Sequence, residues 1–329
     1  MVVSRSEDES RRIPSIRMLR RRRHGQAASC GLALRVAAAG PLGGVISMAS
    51  NDSSRVWFIT GAASGIGRTL AERALSGGDR VVATCRDVRA VRGLEHRHPG
   101  RVVVRPLDVT DAAQAQHAVR RAVASFGRID VVVSNAGVGL FGALEDLSDD
   151  QLHQGFETNV FGAMNTIRAA LPQLRAQRSG LIVQISSLEG VAPAVAGESA
   201  YAATKFAVEG LCEGLRHDVE HLGIRVTLVE PGPTRTEFGE RAVITPPTGD
   251  HYQESVGRAL TWFAELAGSQ PNDPERVAAA IVAIADDPTP PLRLALGVEA
   301  VNAIHDKLAA QARELDRWDD LSRSTAVVA

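Results

Sequence analysis

The chain has 329 residues, of which 44% are hydrophobic and 23% charged, so it can bury a sizeable core and is not disordered throughout. Its formal net charge is −1 at pH 7, and the part after residue 47 carries about −7, which excludes a nucleic-acid-binding protein. No run approaches the ~18 consecutive apolar residues that a membrane-spanning helix needs, so we expect no membrane span.

The first 47 residues differ from the rest because they contain nine arginines against three acidic residues and show no helical or strand periodicity. We predict that residues 1–47 form a disordered extension. Two alternatives compete with this: an arginine-rich targeting peptide, or a start codon assigned too early, since Met48 immediately precedes the first predicted strand. We place the folded domain at residues 48–300 and a helical tail at residues 301–329.

From Arg55 onward, short runs rich in β-branched residues alternate with longer amphipathic stretches, which is the pattern of repeated βαβ units around a parallel sheet. Most runs are apolar at consecutive positions, as in strands that helices cover on both faces. We therefore predict an α/β fold, a single Rossmann-type, doubly wound domain with about seven parallel strands. The predicted strands are Val56–Thr60, Arg80–Thr84, Val102–Leu107, Ile129–Ser134, Leu181–Ser186, Arg225–Val229 and Leu292–Leu296.

Amphipathic periodicity and capping residues locate the helices between these strands. They are predicted at residues 65–76, 111–126, 149–176, 200–221 and 274–286, with Asp111, Ser148 and Asp273 as N-caps. Pro172 is expected to bend or end the third of them. Periodicity fades after Pro233, so residues 233–270 are predicted to form a long irregular insertion that serves as the substrate loop.

A glycine-rich turn follows the first strand and opens the first helix, with the sequence Thr60-Gly61-Ala62-Ala63-Ser64-Gly65-Ile66-Gly67. Glycines let the backbone approach a pyrophosphate, whose charge is met by free N–H groups and the positive end of the helix dipole. The spacing GxxxGxG differs from the commoner GxGxxG fingerprint, and a tight turn without a ligand is the alternative. The strand before it and the helix after it favour a dinucleotide phosphate loop.

The second predicted strand ends in Thr84-Cys85-Arg86, where an acidic residue would bind the 2′-hydroxyl of NAD. Cys85 stands in place of that acid, and the Arg86 guanidinium suits the 2′-phosphate of NADP. We therefore expect NADP(H) to be favoured, with NAD(H) as the alternative. Arg86 could instead be a solvated surface arginine, and the neighbouring Asp87 argues in that direction.

Only two tyrosines and two lysines occur in the chain, and Tyr201 and Lys205 stand four positions apart. That spacing puts both side chains on one face of a helix. A neighbouring ammonium and a cationic nicotinamide both favour the phenolate, so a tyrosine there can act as acid and base at neutral pH. We predict that Tyr201 and Lys205 are the proton-transfer pair; an exposed cation–π pair is the alternative.

The fifth predicted strand ends in Ser186-Ser187, where a hydroxyl can face the crevice at the carboxyl edge of the sheet. Ser187 is expected to hold a substrate carbonyl, and local backbone capping is the alternative role for either serine. His217 and His221 have the helical spacing of zinc ligands, but no third ligand accompanies them, so we predict no metal.

The chain contains three cysteines, which are widely spaced and lack a metal-binding or disulfide pattern: Cys30, Cys85 and Cys212. Their pattern indicates a reducing compartment, and we expect a cytoplasmic protein.

Taken together, these motifs resemble the short-chain dehydrogenase/reductase family over about residues 54–240, most closely the branch of 17β-hydroxysteroid and retinol dehydrogenases and related bacterial oxidoreductases. The resemblance is carried by Thr60-Gly61-x3-Gly65-x-Gly67, Asp108-Val109, Ser134-Asn135-Ala136-Gly137, Asn159, Ser187, Tyr201-x3-Lys205 and Pro231-Gly232. Two features depart from the family pattern. Ser134 replaces the usual Asn, and Ser187 precedes Tyr201 by fourteen positions rather than the usual thirteen, which leaves Ser186 as a substitute.

The resemblance implies a role for each matching residue. Tyr201 would exchange a proton with the substrate oxygen, Lys205 would tune Tyr201, Asn159 would hold a water of the proton relay, and Ser187 would polarise the carbonyl. Asp108 and Val109 would contact adenine, Asn135, Ala136 and Gly137 would line the ribose side, Thr236 would bind the nicotinamide amide, and Ser64 and Arg86 would face the 2′-phosphate. The predicted cofactor site is completed by Gly61, Gly65, Ile66, Gly67, Pro231 and Gly232.

The predicted reaction is hydride transfer between a nicotinamide and a small-molecule ketone, aldehyde or alcohol. The expected apolar substrate pocket is lined by Leu140, Phe141, Leu188, Phe238, Trp262 and Phe263. The family resemblance implies a homodimer or homotetramer. A catalytically silent, dinucleotide-sensing binding module is the alternative from another class, and a sugar-nucleotide epimerase or dehydratase is a second, which the three-residue gap between Gly61 and Gly65 disfavours.

Overall fold

A computed structural model describes residues 54–327, so the predicted extension at residues 1–47 and the start at Met48 lie outside the described residues. The strands are β1 (Val56–Ile59), β2 (Arg80–Cys85), β3 (Val102–Pro106), β4 (Val131–Ser134), β5 (Leu140–Phe141), β6 (Gly180–Ile185), β7 (Ile224–Pro231), β8 (Val243–Ile244) and β9 (Arg293–Leu296). Seven of them form a parallel sheet in the order β3-β2-β1-β4-β6-β7-β9, and β5 pairs with β8 separately. The predicted fold class is confirmed.

The main sheet reverses its direction of growth between β1 and β4, which are neighbours although two strands separate them in sequence. In a doubly wound sheet, the connections from two such strands leave toward opposite faces, and a crevice opens outside their carboxyl ends. The glycine-rich turn follows β1, and Asn135 follows β4 directly. The topology therefore brings these two motifs to one crevice.

Ten α-helices connect and cover the strands within the described residues. They are α1 (Gly65–Ser76), α2 (Arg92–Arg97), α3 (Ala112–Phe126), α4 (Asp149–Phe156), α5 (Gly162–Gln177), α6 (Ser199–Val219), α7 (Arg258–Glu265), α8 (Pro274–Asp286), α9 (Val298–Arg317) and α10 (Asp319–Arg323). The three predicted N-caps are confirmed: the side chains of Asp111, Ser148 and Asp273 each accept a hydrogen bond from a backbone N–H of the following turn. None of the helices in residues 54–327 combines the length and the apolar character that crossing a bilayer requires.

The predicted helix at residues 149–176 differs from the structure. It is divided into α4 and α5 by a π-helical turn, Glu157–Phe161, which inserts one wide turn into the helix. The expectation that Pro172 ends this helix is wrong, because α5 continues to Gln177. Leu174 beyond the proline is fully buried, and this packing against the sheet holds the last turn in place although Pro172 provides no hydrogen-bond donor.

Consecutive apolar residues of the central strands divide between two cores, one on each face of the sheet. In β1, Trp57 and Ile59 pack into the core that α1 and α8 cover, whereas Phe58 packs into the core on the opposite face. In β4, Val131 and Val133 face the first core and Val132 faces the second. Successive side chains of a strand point to opposite faces, so a strand covered on both faces needs an unbroken apolar run.

The insertion at residues 233–270 is more regular than its sequence predicts, because it contains β8, several short helical turns and α7. Its side chains Leu260 and Phe263 pack against a separate apolar cluster that includes Phe141 and Tyr201. Within it, α7 is strongly amphipathic, but this helix spans only eight residues. Contacts with the rest of the domain, rather than local preference, determine this structure.

A buried ionic cluster fastens the last strand of the sheet to its neighbours. Arg293 in β9 forms ion pairs with Glu209 in α6, with Glu230 in β7 at 2.8 Å and with Glu213 at 2.9 Å. Burial raises the pKa of Glu209 to about 7 and also raises the pKa of Glu230, while Arg293 opposes both shifts. The guanidinium therefore compensates two carboxylates that are almost fully removed from water.

Replacing this cation is expected to destabilise the domain in a pH-dependent way. Arg293→Met should lower the free energy of unfolding by about 2–3 kcal/mol near pH 8, a value reduced from that of a fully buried pair because Arg293 is 34% exposed. A carboxyl whose pKa is raised by folding stays protonated to a higher pH in the folded state than in the unfolded state. The free energy of unfolding therefore falls as pH rises through this range. Without Arg293 the pKa values of the two carboxyls are higher still, so the fall extends to higher pH. Urea denaturation near pH 8 and pH 6 should thus give the larger loss at pH 8.

The matched control is Arg216→Met, because Arg216 lies on α6, as Glu209 does, but forms only an exposed, 3.8 Å ion pair with Glu220. It should change the free energy of unfolding by less than about 0.5 kcal/mol. A loss for Arg293→Met that is equal at both pH values would show that the buried carboxylates are not the cause.

Candidate active site

A cavity of about 1260 Å³ lies at the carboxyl ends of six parallel strands: β1, β2, β3, β4, β6 and β7. One part of its wall is formed by the glycine-rich turn and the residues after β2 and β4, and another part is apolar. Five of the six residues predicted for an apolar pocket line it: Phe141, Leu188, Phe238, Trp262 and Phe263. The sixth, Leu140, is 1% exposed and belongs to the core beneath the cavity, because it precedes Phe141 and therefore points to the opposite side of β5.

The glycine-rich turn is locked to the end of β4 by side-chain hydrogen bonds. The Thr60 hydroxyl accepts hydrogen bonds from the backbone N–H groups of Asn135 and Ala136 at 2.9 and 3.1 Å, and the Asn135 amide donates to the Thr60 carbonyl at 2.8 Å. Gly61 has φ of +66°, and a Cβ at Gly67 would lie 2.4 Å from the Asn135 amide nitrogen. Gly67 thus allows the turn to pack against Asn135 and does not itself line the cavity.

Arg86 lies exposed at one edge of the cavity, directly after β2. The preceding Cys85 is buried, and its side chain faces the core. Asp87 is engaged elsewhere, since it pairs with Arg89 through both carboxylate oxygens, and hydrogen bonds from Arg89 lower the pKa of Asp87 to about 2. Within residues 54–327, Arg86 has no ion-pair partner, so its guanidinium is available to an anion at this edge.

Ser64, at the start of α1, accepts a hydrogen bond from the Arg241 guanidinium at 2.8 Å. Arg241 belongs to the insertion, and both residues line the cavity. The insertion therefore contacts the phosphate loop and adds a second cation beside it. No sequence motif predicts this contact, because Arg241 lies 177 positions from Ser64.

Most other residues predicted to bind the cofactor also line the cavity. Those on its wall are Gly61, Gly65, Ile66, Asp108, Val109, Asn135, Ala136, Gly137, Pro231, Gly232 and Thr236. Asp108 also shapes the local backbone, because its carboxylate accepts hydrogen bonds from the N–H and the hydroxyl of Thr110.

Tyr201 and Lys205 lie one turn apart on α6, and both side chains are buried at the cavity wall. The Lys205 ammonium donates a hydrogen bond to the Ile185 carbonyl at 3.1 Å and lies 5.6 Å from the centre of the Tyr201 ring. Burial lowers the pKa of Lys205 to about 8, although the charges of Glu189 and Glu209 favour its protonated form. Lys205 can therefore carry its charge at neutral pH and lose it in mildly alkaline solution.

Burial raises the pKa of the Tyr201 phenol well above its ordinary value, and the charges of Glu189 and Glu198 raise it further. The neighbouring Ser187 hydroxyl acts in the opposite direction. The phenol is therefore protonated at neutral pH in this structure and can serve as a proton donor.

The two serines after β6 have different surroundings. Ser187 lies beside the Tyr201 phenol, and its hydroxyl donates a hydrogen bond to Glu189. Ser186 instead packs beside Gly190, where a Cβ would approach the Ser186 oxygen to 2.7 Å. Of the two serines that the sequence left as alternatives, Ser187 is the one adjacent to Tyr201.

Asn159 lies in the π-helical turn between α4 and α5, behind the cavity wall. Its side-chain oxygen accepts from the Val138 N–H at 2.8 Å, and its nitrogen donates to the Val138 carbonyl at 2.9 Å and to the Thr204 hydroxyl at 3.0 Å. The amide thereby ties the segment after β4 to the helix that carries Tyr201 and Lys205. Both of its donor hydrogens are used in these contacts.

Two acidic residues near Tyr201 were not predicted from the sequence. Glu189 and Glu198 both line the cavity, and burial together with the charge of Glu189 raises the pKa of Glu198 to about 8. The signal was present, since one acid stands two positions after Ser187 and the other three positions before Tyr201. No cluster of three or more metal-binding side chains occurs in the described part of the chain.

Comparison with known proteins identifies the family. The short chain dehydrogenase family model matches residues 55–245. Oxidoreductase BOA17 of Botryotinia fuckeliana is 36% identical over 83% of this chain and all of its own length. Retinol dehydrogenase 8 of Bos taurus is 36% identical over 74% of this chain and 81% of its own length. The 3-ketodihydrosphingosine reductase of Bacteroides thetaiotaomicron is 34% identical over 74% of this chain and 88% of its own length.

Solved structures agree with this assignment. A short-chain dehydrogenase from Streptomyces avermitilis has a TM-score of 0.78 and 42% identity, covering 84% of this chain and all of its own. A Burkholderia phymatum short-chain dehydrogenase/reductase in complex with NAD has a TM-score of 0.67 and 26% identity, and the match covers 84% of this chain and 98% of that one. A Thermococcus sibiricus alcohol dehydrogenase complexed with 5-hydroxy-NADP has a TM-score of 0.60 and 25% identity, and the match covers 74% of this chain and 96% of that one. The chain belongs to the short-chain dehydrogenase/reductase family, the NAD(P)-binding oxidoreductases that act on CH–OH groups.

Proposed function

We propose that the protein interconverts a ketone or aldehyde and the corresponding alcohol with NADP(H), and that Tyr201 transfers the proton. The observation that carries this proposal is the placement of a buried Tyr201–Lys205 pair, with Ser187 beside the phenol, on the wall of the cavity that the glycine-rich turn also lines. A proton-transfer group and a dinucleotide-binding loop thus share one cavity.

The residues around the cavity fit a dinucleotide. The turn after β1 has no side chains at Gly61 and Gly65, so a ligand can approach its backbone closely. Ser64 and the first N–H groups of α1 can bind a pyrophosphate. Arg86 offers an unpaired guanidinium for a 2′-phosphate. When bound, NADPH would supply the hydride that this chain's own side chains cannot provide.

In the direction of reduction, the protonated Tyr201 phenol donates its proton to the carbonyl oxygen. The Lys205 ammonium stabilises the phenolate that remains, and the Ser187 hydroxyl orients and polarises the carbonyl. Asn159 keeps the segment after β4 in place and is proposed to hold a water of the proton relay. In the direction of oxidation, Tyr201 accepts the proton from the alcohol.

An apolar substrate body suits the remaining wall of the cavity, which consists mainly of aromatic rings contributed by β5 and the insertion. The names of two relatives, a retinol dehydrogenase and a 3-ketodihydrosphingosine reductase, support a carbonyl or alcohol substrate. The direct test is to incubate purified protein with NADPH and a series of alkyl and aryl ketones and aldehydes and to follow NADPH absorbance. If the protein binds NADPH but reduces none of them, the silent binding module becomes the better interpretation.

The preference for NADP(H) is expected to depend on Arg86. Arg86→Ala should raise the KM for NADPH about 20-fold, the effect of losing one charge-assisted contact, and should leave the KM for NADH nearly unchanged. Steady-state kinetics with both cofactors measures this. Arg92→Ala, at a nearby exposed arginine that does not line the cavity, is the matched control. Equal effects on both cofactors would contradict a 2′-phosphate contact.

A further inference from the structure

Two glutamates stand beside Tyr201 without a cationic partner. Glu189 lies in the short helical turn after β6, and Glu198 immediately precedes α6. Glu198 is 6% exposed, its side chain does not cap α6, and one of its carboxylate oxygens is buried without a hydrogen-bond partner. Both residues line the cavity, although the unsatisfied Glu198 oxygen is itself buried.

No basic side chain within residues 54–327 forms an ion pair with either glutamate. Lys205 is close enough to Glu189 to be attracted by it, but its ammonium donates to the Ile185 carbonyl instead. Burial and the charge of Glu189 both disfavour the ionised form of Glu198, because no cation compensates it. A cation bound in the cavity would remove both penalties.

Aromatic rings on the wall of the same cavity favour a cation as well. The Tyr201 ring lies 5.6 Å from Phe141 and 5.9 Å from Phe238, and Phe141 lies 4.7 Å from Phe263, measured between ring centres. The faces of aromatic rings attract organic cations, above all substituted ammonium groups. The cavity therefore combines two independent features, acidic groups and aromatic faces, that recognise the same chemistry.

We propose that Glu189, Glu198 and these rings form a subsite for an ammonium group, so that the substrate is an amino ketone or amino alcohol with an apolar body. The proposal rests on the carbonyl reductase function given above. Because Ser187 touches both Glu189 and the reaction centre, the ammonium should be only two or three bonds from the carbonyl carbon.

The subsite also couples binding to catalysis. The Ser187 hydroxyl has one hydrogen, which it donates to Glu189 in this structure. An ammonium group that takes over the Glu189 carboxylate releases that hydrogen for the substrate carbonyl. The cation should therefore improve kcat as well as KM.

The test compares two ketones of equal shape. Both carry a hexyl chain on one side of the carbonyl; on the other, one carries a trimethylammoniomethyl group and the other a neopentyl group, so they differ only in a nitrogen cation or a neutral carbon. The α-ammonium group withdraws electrons and makes its carbonyl more reactive than that of the neopentyl ketone, so the kcat/KM ratio of the wild type is compared with that of the variants. We expect the ratio of the cationic to the neutral ketone to be at least about tenfold larger in wild type than in the double variant, as one charge-assisted contact allows. Glu189→Gln and Glu198→Gln should each reduce this ratio. Glu220→Gln, at an exposed glutamate at the far end of α6, is the matched control and should leave the ratio unchanged.

Calorimetric binding of both ketones to the NADP⁺-loaded protein separates failure of the subsite from failure of the proposed function. If wild-type protein reduces or binds the two ketones equally well, or binds neither, the ammonium subsite is wrong. If it reduces neither but binds the cationic ketone more tightly, and the double variant loses this preference, the subsite stands and the carbonyl reductase function fails. If a variant does not fold, the ratio of the two calorimetric Kd values of the wild-type protein decides, because binding does not include the reactivity of the carbonyl.

Discussion

Tyr201→Phe is expected to lower kcat for carbonyl reduction about 10³-fold, because it removes the only group in the proposed mechanism that gives a proton to the substrate oxygen. The ring itself is retained. Since Tyr201 packs against Phe141 and Phe238 in a buried cluster, a phenylalanine should preserve the fold and the cavity wall. The Kd for NADPH should therefore change by less than about threefold.

Steady-state turnover and a fluorescence titration with NADPH measure the two quantities separately. Tyr252→Phe provides a matched control, because Tyr252 is the only other tyrosine in the chain and lies in the insertion away from the proposed reaction centre. The control should retain full activity. A Tyr201→Phe variant that keeps more than about a tenth of wild-type kcat would exclude Tyr201 as the proton donor.

The sheet could be predicted from the sequence because each central strand is buried on both faces. The side chains of an unbroken apolar run such as Val131-Val132-Val133 pack alternately into the two cores. So short and continuous an apolar run is typical of a strand that is buried on both faces. The ends of the helices were harder to predict than the strands. The π-helical turn at Glu157–Phe161 could not be predicted from the periodicity, since it changes the spacing within a single turn of an otherwise continuous helix.

Much of the cavity wall was predictable for a topological reason. Motifs at the ends of parallel strands meet at one edge of the sheet, so residues as distant in sequence as Gly61, Ser187 and Pro231 line the same cavity. Gly67 was expected in the cofactor site and Asn159 as the holder of a relay water, and neither residue is part of the cavity wall. Their motif positions did not show whether each residue lies on the wall or behind it.

The remaining features depend on contacts that no local pattern encodes. Arg241 reaches Ser64 only because the insertion folds back over the phosphate loop, and the burial of Glu198 depends on the elements that enclose the start of α6. Acidic residues are mostly exposed, so a glutamate in a loop gives no reason to expect burial. The candidate ammonium subsite therefore became visible only with the structure.

Lys205→Met is expected to lower kcat/KM for reduction about 10²–10³-fold, because it removes the charge that stabilises the Tyr201 phenolate after proton transfer. The wild-type pH profile tests the same role. Since burial lowers the pKa of Lys205 to about 8, the ammonium predominates below that pH and is lost above it. The Tyr201 phenol stays protonated over this range, so kcat/KM should be level near pH 7 and fall as pH rises through about 8.

Lys205→Arg distinguishes charge from structure, because a guanidinium stays protonated in alkaline solution. Its activity should be reduced, since the larger group fits the Ile185 carbonyl less well, but the remaining activity should show no decline through about pH 8. Lys307→Met is the matched control at the only other lysine, which is exposed on α9, and should keep the wild-type rate and profile. If Lys205→Arg retains the alkaline decline, a group other than Lys205 causes it. The proton-transfer role of Lys205 would then rest on the loss of activity in Lys205→Met alone.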